Sequence, residues 1–144
     1  FFEELSLGRG LARLDWNADG LEDVVISHLD TPAVLLTNVT ESPGHFLTVR
    51  LVGTESSRDA IGTTVSVECG GRTLVRQMTA GDGYQAANQR LLVFGLGENT
   101  LADRVQVQWP SGIRSRWTRV PADQHLLLVE GRDQPLEVGH SGRP

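Results

Sequence analysis

The chain has 144 residues, a formal net charge of −5, 39% hydrophobic residues and 22% charged ones, enough apolar material for one substantial core and too much for a disordered segment. All 13 basic residues are arginine, and they are scattered rather than gathered into a stripe, so the electrostatic footprint of a nucleic-acid-binding protein is missing. A single cysteine, Cys69, excludes an intrachain disulfide framework and a multi-cysteine zinc site, and no apolar run is long enough to cross a bilayer or form a signal peptide. The start, "FFEELSL", lacks a methionine and reads as a segment of a longer or processed protein.

Short runs rich in valine, leucine and aromatic residues, separated by turn formers, predict an all-β chain. Strands are expected near residues 10–15, 23–28, 33–37, 46–52, 63–69, 73–79, 91–94, 104–109, 114–120 and 125–130. The first three surround an acidic turn and are too few to close a core alone. "NVTESPGH" is the expected junction, and its sequon at Asn38 suits an ordinary strand-end turn better than a glycan.

Six or seven strands follow, enough for an antiparallel β-sandwich or barrel-like domain. "TVSVEC" and "RVQVQW" alternate with period two, placing Val65 and Val67 on one face and Thr64 and Ser66 on the other. Gly70 and Gly71 suit a two-residue hairpin. The expected organisation is therefore 1–43 as an N-terminal repeat piece with its linker, 44–131 as the main β domain, and 132–144 as a loosely held tail.

In "GLARLDWNADGLEDVVISHL", oxygen donors fall at positions 1, 3, 5 and 9 counted from Asp15: Asp15, Asn17, Asp19 and Asp23. Gly20 allows a sharp turn at position 6, and the Leu21 carbonyl is available at position 7. This spacing suits Ca2+, which offsets the repulsion of three crowded carboxylates. It is not an EF-hand, because position 12 is Ile26 and the following residues read as a strand. A metal-free turn held by side-chain to backbone bonds and a magnesium site are the alternatives, while paired-carboxylate catalysis needs two groups facing each other across a cleft.

Elsewhere, Asp82, Tyr84, Asn88, Gln89 and Arg90 in "TAGDGYQAANQR" offer a polar recognition surface, although Gly81, Gly83, Gly95 and Gly97 also mark turns around the "RLLVF" strand. Trp109 and Trp117 are candidates for sugar stacking or for core packing. His28, His45, His125 and His140 are dispersed, Ser57 and Ser111 lie in turn contexts, and no nucleophile elbow or triad is evident.

Residues 8–38, "GRGLARLDWNADGLEDVVISHLDTPAVLLTN", resemble the calcium-loop repeat of FG-GAP or VCBS type, which implies a fragment of a β-propeller with Asp15, Asn17, Asp19, the Leu21 carbonyl and Asp23 as metal ligands. Residues 45–130 resemble the ASPIC/UnbV domain of cartilage acidic protein-like and secreted bacterial proteins, through "HFLTVRLVG", "SSRDAIGTTVSV", "TAGDGY", "LLVFGLGE", "RVQVQWPSG" and "LLLVEG". Two departures stand out: "QAANQ" replaces the glycine- and serine-rich end of the "GDGY" stretch, and one repeat is present where a propeller needs several.

The resemblance implies the C-terminal part of a larger extracellular or secreted protein, or one of the bacterial periplasm or cell surface. Its expected role is that of a noncatalytic, calcium-stabilised binding module, whose partners are the remaining propeller and a matrix protein or glycan. A flat ligand surface would then draw on Asp82, Tyr84, Arg90, Trp109 and Trp117, and the apolar rim left by a missing propeller would favour weak self-association. The alternative is an accessory domain of an extracellular enzyme acting on a polysaccharide or another polymer.

Overall fold

A computed structural model describes residues 5–138. Two compact units are present: one combines the chain up to Glu41 with Ala80–Gln89, and the other combines Ser42–Thr79 with the chain from Arg90 onward. His140 lies outside the described residues.

The smaller unit is built on a three-stranded antiparallel sheet in which β1 (Gly8–Leu14) pairs with β2 (Asp23–His28) and β2 with β3 (Val34–Leu36). The register sets Leu11 beside Ile26 and Ile26 beside Val34, and one residue further along sets Ala12 beside Val25 and Val25 beside Leu35. Side chains in a row share a face and successive rows alternate, so apolar residues point to both faces of this sheet.

The larger unit has two four-stranded sheets that share one hydrophobic core. Their strands are β4 (His45–Val52), β5 (Thr64–Cys69), β6 (Arg72–Gln77), β7 (Leu92–Gly97), β8 (Leu101–Gln108), β9 (Arg114–Pro121), β10 (Gln124–Val129) and β11 (Leu136–Glu137). The sheet orders are β11-β10-β4-β7 and β6-β5-β8-β9. Period-two alternation supplies the core from both sides: Leu47, Val49, Leu51, Phe94, Leu96, Leu126 and Leu128 from the first sheet, and Val65, Val67, Val105 and Val107 from the second, with Trp109 just beyond its β8. Each such side chain contributes about 1.5–3 kcal/mol on burial. This is a sandwich-like, all-β arrangement, and neither sheet closes into a barrel.

Val65 and Val67 are buried on one face of β5, opposite Thr64 and Ser66, as the alternation requires. The hairpin between β5 and β6 turns through Gly70 and Gly71 at φ +53° and +74°, a left-handed pair that bears out the two-residue link. Three features depart from the expected pattern. The pairing of β10 with β4 is parallel, since these strands are distant in sequence and meet through the fold rather than through a hairpin. Gly95 and Gly97 lie within β7 instead of flanking it, at a register slip opposite His45 and Phe46. Leu136–Glu137, in the stretch expected to be loose, pairs with the open edge of β10, and the Val138 N–H donates to the His125 carbonyl.

Gly53 follows β4 where the chain folds back on itself, its N–H donating to the Arg58 carbonyl at 3.1 Å. A Cβ there would run into the backbone carbonyls of Ser57 and Ser56. Gly53→Ala is expected to cost about 2–3 kcal/mol, the cost of overpacking against fixed backbone, measured as a lower midpoint in urea unfolding with an unchanged slope.

Candidate functional site

The turn between β1 and β2 gathers the expected oxygen-bearing residues. Gly20 at φ +82° and Ala18 at φ +55° bend the chain through left-handed conformations, bringing Asp15 and Asp23 inward to 4% and 1% exposure. Asp15 accepts the Asp19 N–H on Oδ1 at 3.0 Å and the Gly20 N–H on Oδ2 at 3.1 Å. Asp23 accepts the Asn38 N–H on Oδ1 at 2.7 Å and the Trp16 N–H on Oδ2 at 3.1 Å. Asp19 accepts the Leu21 N–H on Oδ1 at 2.8 Å and the Asn17 side-chain amide on Oδ2 at 2.7 Å.

Every carboxylate oxygen of the three aspartates therefore faces an N–H donor, and those donors offset much of the mutual repulsion of the acids. Among the described residues, no group of three His, Cys, Asp or Glu side chains stands arranged to hold an ion. The donor set is nonetheless entirely hard oxygen, and a carboxylate oxygen with one N–H bond keeps a second lone pair. The chemistry of the turn suits a hard cation, and the folding of the turn is already supported by amides.

The segment Ala80–Gln89 belongs to the same unit and caps the open edge of β1 with two side-chain amides and one backbone N–H in place of a strand. The Arg13 N–H donates to Asn88 Oδ1 at 2.8 Å, the Gln89 N–H donates to the Arg13 carbonyl at 2.9 Å, and the Asp15 N–H donates to Gln89 Oε1 at 2.8 Å. "QAANQ", the stretch that departs from the family pattern, thus supplies the groups that hold the strand leading into the acidic turn. Asp82 accepts from the Asn88 side-chain amide at 2.6 Å, which fixes that amide for its bond to Arg13.

The five residues expected to form one ligand surface are divided between the two units, Asp82 and Tyr84 in the smaller and Arg90, Trp109 and Trp117 in the larger. Tyr84, 59% exposed, lies under the Arg9 guanidinium, 4.6 Å from the ring centroid, and its hydroxyl accepts from Arg9 at 3.0 Å. Arg90 belongs to the other unit, where it pairs with Asp59 at 3.3 Å and reaches the Thr79 carbonyl. Trp109 does not reach the surface: it is 1% exposed, on the inward parity of β8, and its indole N–H donates to Ser115 at 3.1 Å. Trp117 lies half-buried at the margin of the core with its N–H on the Asp133 carbonyl at 2.6 Å. Both indoles do the work of packing.

A buried acid that the sequence reading passed over is Glu130. It continues the inward parity of Leu126 and Leu128 past the end of β10, the signal by which it was recognisable. Its Oε2 accepts the N–H groups of Thr54, Glu55 and Ser56 at 2.8, 2.9 and 2.7 Å, and its Oε1 accepts the hydroxyls of Ser56 and Ser111 at 2.8 and 2.5 Å. Burial pushes the Glu130 carboxyl upward, but the Ser111 hydroxyl and then the Ser56 and Thr54 donors outweigh it and bring it from 4.5 to about 2. The loop after β4 and the turn after Trp109 are both tied to this one anion.

These features define a class: a β-sandwich-type domain with loops organised by buried carboxylates, accompanied by a small open sheet. Residues 53–135, more than half of the chain, match the family described as ASPIC and UnbV, and the chain belongs to that family. Domains of this family are found at the C-terminal end of larger proteins. No curated protein matches the chain. Among the described residues, no helix is long and apolar enough to cross a membrane.

Glu130 stabilises the fold through its charged form, with a carboxyl held below its ordinary value. Its contribution is complete above about pH 5 and is lost as the pH falls from 4.5 towards 2. Glu130→Gln should lower the melting temperature at pH 7, and the gap to wild type should narrow steadily across that acid window in calorimetric scans. Gln89→Ala, which leaves the Asp15 N–H without its side-chain acceptor, should cost about 1 kcal/mol and speed hydrogen exchange at Asp15 more than at β5 amides.

Proposed function

We propose that this chain supplies a noncatalytic, calcium-stabilised interaction module to a larger extracellular protein, secreted or held in a bacterial periplasm or at a cell surface. In this reading the small sheet is part of an FG-GAP or VCBS-type propeller blade, as in cartilage acidic protein-like proteins, and further blades of the same protein cover its faces. The supporting observation is the two-sided apolarity of β1-β2-β3. Leu11, Ile26 and Val34 share one face while Ala12, Val25 and Leu35 share the other, with Leu11 still 53% and Leu35 still 42% exposed. A sheet that is apolar on both faces is characteristic of a layer placed between others, and a solvated surface sheet carries polar residues on one side.

In the acidic turn, Asp15, Asn17, Asp19, Asp23 and the Leu21 carbonyl would hold the ion. Bound Ca2+ would supply a charge that neutralises the crowded aspartates and locks the approach from β1 to β2. The turn's own residues set that approach before any ion arrives, since the Asp15 and Asp23 carboxylates already hold the amides of Asp19, Gly20, Trp16 and Asn38.

Titration calorimetry on this chain should show one Ca2+ bound, and added Ca2+ should raise the melting temperature with the logarithm of its concentration above Kd. Asp19→Ala, which removes an exposed ligand and leaves the buried carboxylates in place, should abolish the calcium response and retain the fold. An unchanged melting temperature with Ca2+ and with chelator would overturn the calcium part. The blade part is checked separately by comparing amide exchange in this chain and in the full-length protein: Leu11, Val25 and Ile26 should gain at least about tenfold protection in the longer protein.

A further inference from the structure

The outward face of β6-β5-β8-β9 carries a basic, hydroxyl- and amide-rich concavity on a chain of net charge −5. Strand register builds it in two rows. Thr64 of β5 stands beside Gln108 of β8, which stands beside Arg114 of β9, and Ser66 stands beside Gln106, which stands beside Arg116. The valines between them, Val65 and Val107, point into the core, so these six side chains share the solvent face. They line a depression of about 360 Å³ with no carboxylate in its wall.

Arg114 and Arg116 lie two residues apart on an edge strand, which spaces them by roughly 7 Å. Both are exposed, and among the described residues neither has an ion-pair or hydrogen-bond partner. The next row on the same face shows the contrast: Arg104 is matched with Glu68 at 2.9 Å. Acidic residues are plentiful in this chain, 18 against 13 basic ones, yet among the described residues none pairs with either guanidinium group, and Asp133 lines the neighbouring depression rather than this one.

We propose that this face binds an acidic polysaccharide, with carboxylate or sulfate groups of the glycan on Arg114 and Arg116 and its hydroxyls on Gln106, Gln108, Thr64 and Ser66. Guanidinium groups suit planar or tetrahedral oxyanions through paired N–H donors, and side-chain amides and hydroxyls both donate to and accept from sugar hydroxyls. A nucleic acid fits less well, because two cations on a chain of net charge −5 give little counterion release and no aromatic ring lines the depression for base stacking. This inference stands apart from the calcium and blade readings, since every residue in it belongs to the sandwich.

The test is titration calorimetry of the whole chain with polygalacturonate oligomers, with dextran as the neutral polymer and galacturonate as the free acid sugar. Binding should be seen with the oligomers and not with dextran, and it should weaken as NaCl is raised from about 50 to about 500 mM. Arg114→Gln/Arg116→Gln should lose roughly tenfold or more in affinity with the melting temperature unchanged, because both side chains are exposed. Arg50→Gln, an exposed arginine of the other sheet, should bind as wild type. Gln106→Leu/Gln108→Leu should weaken oligomer binding while leaving its salt dependence intact. Failure to bind any oligomer, equal loss in Arg50→Gln, or equal affinity for free galacturonate and the oligomers would overturn the proposal. So would equal binding to vesicles of phosphatidylserine.

Discussion

The dry seam between the two four-stranded sheets is the constraint from which the larger unit is built. Leu47, Val49, Leu126 and Leu128 meet Val65, Val67, Val105 and Val107 there, and the period-two geometry of each strand forces every intervening residue to the opposite face. A one-residue slip in β5 or β8 would bury Thr64 and Ser66 or Gln106 and Gln108 in place of valines, so the apolar pattern fixes the register. The polar outer face of β5, β8 and β9 is the other side of that same requirement.

Connections at the ends of the strands follow a second recurring device, a buried carboxylate that collects backbone N–H groups. Glu130 does this for the loop after β4, and Asp15 and Asp23 do it for the turn between β1 and β2. Taking a carboxylate out of water is costly, and the cost is offset because each anion receives several short charge-assisted bonds that would otherwise be made to water. In an acidic chain with no lysine this puts negative charge to structural use. The same device lets an oxygen-rich turn fold with each of its three aspartates held by N–H donors.

Membership of the ASPIC and UnbV family covers residues 53–135, yet Ala80–Gln89 within that span belongs to the smaller compact unit. The family domain is therefore discontinuous in space: a loop of its sequence leaves the sandwich unit and serves as an edge cap for β1. Asn88 and Gln89 do this with side-chain amides, which carry the donor and acceptor of a peptide group without requiring a further strand.

Local pattern was enough to place ten of the strands, to orient Val65 and Val67, to mark the Gly70-Gly71 hairpin and to select Asp15, Asn17, Asp19 and Asp23 as one turn, because alternation and turn chemistry act over a few residues. The inward parity of Glu130 was also written in "LLLVEG", although its partners Thr54, Ser56 and Ser111 were not. Tertiary structure alone decided that β10 runs parallel to β4, that Leu136–Glu137 completes a sheet edge, and that Tyr84 and Arg90 fall in different units while Trp109 sinks into the core. It likewise decided that Arg114 and Arg116 align with Gln108 and Gln106 across two strands. These facts depend on which distant backbone edges and faces meet, a free energy shared between segments far apart in the chain, and no single stretch of sequence contains both halves of such a contact.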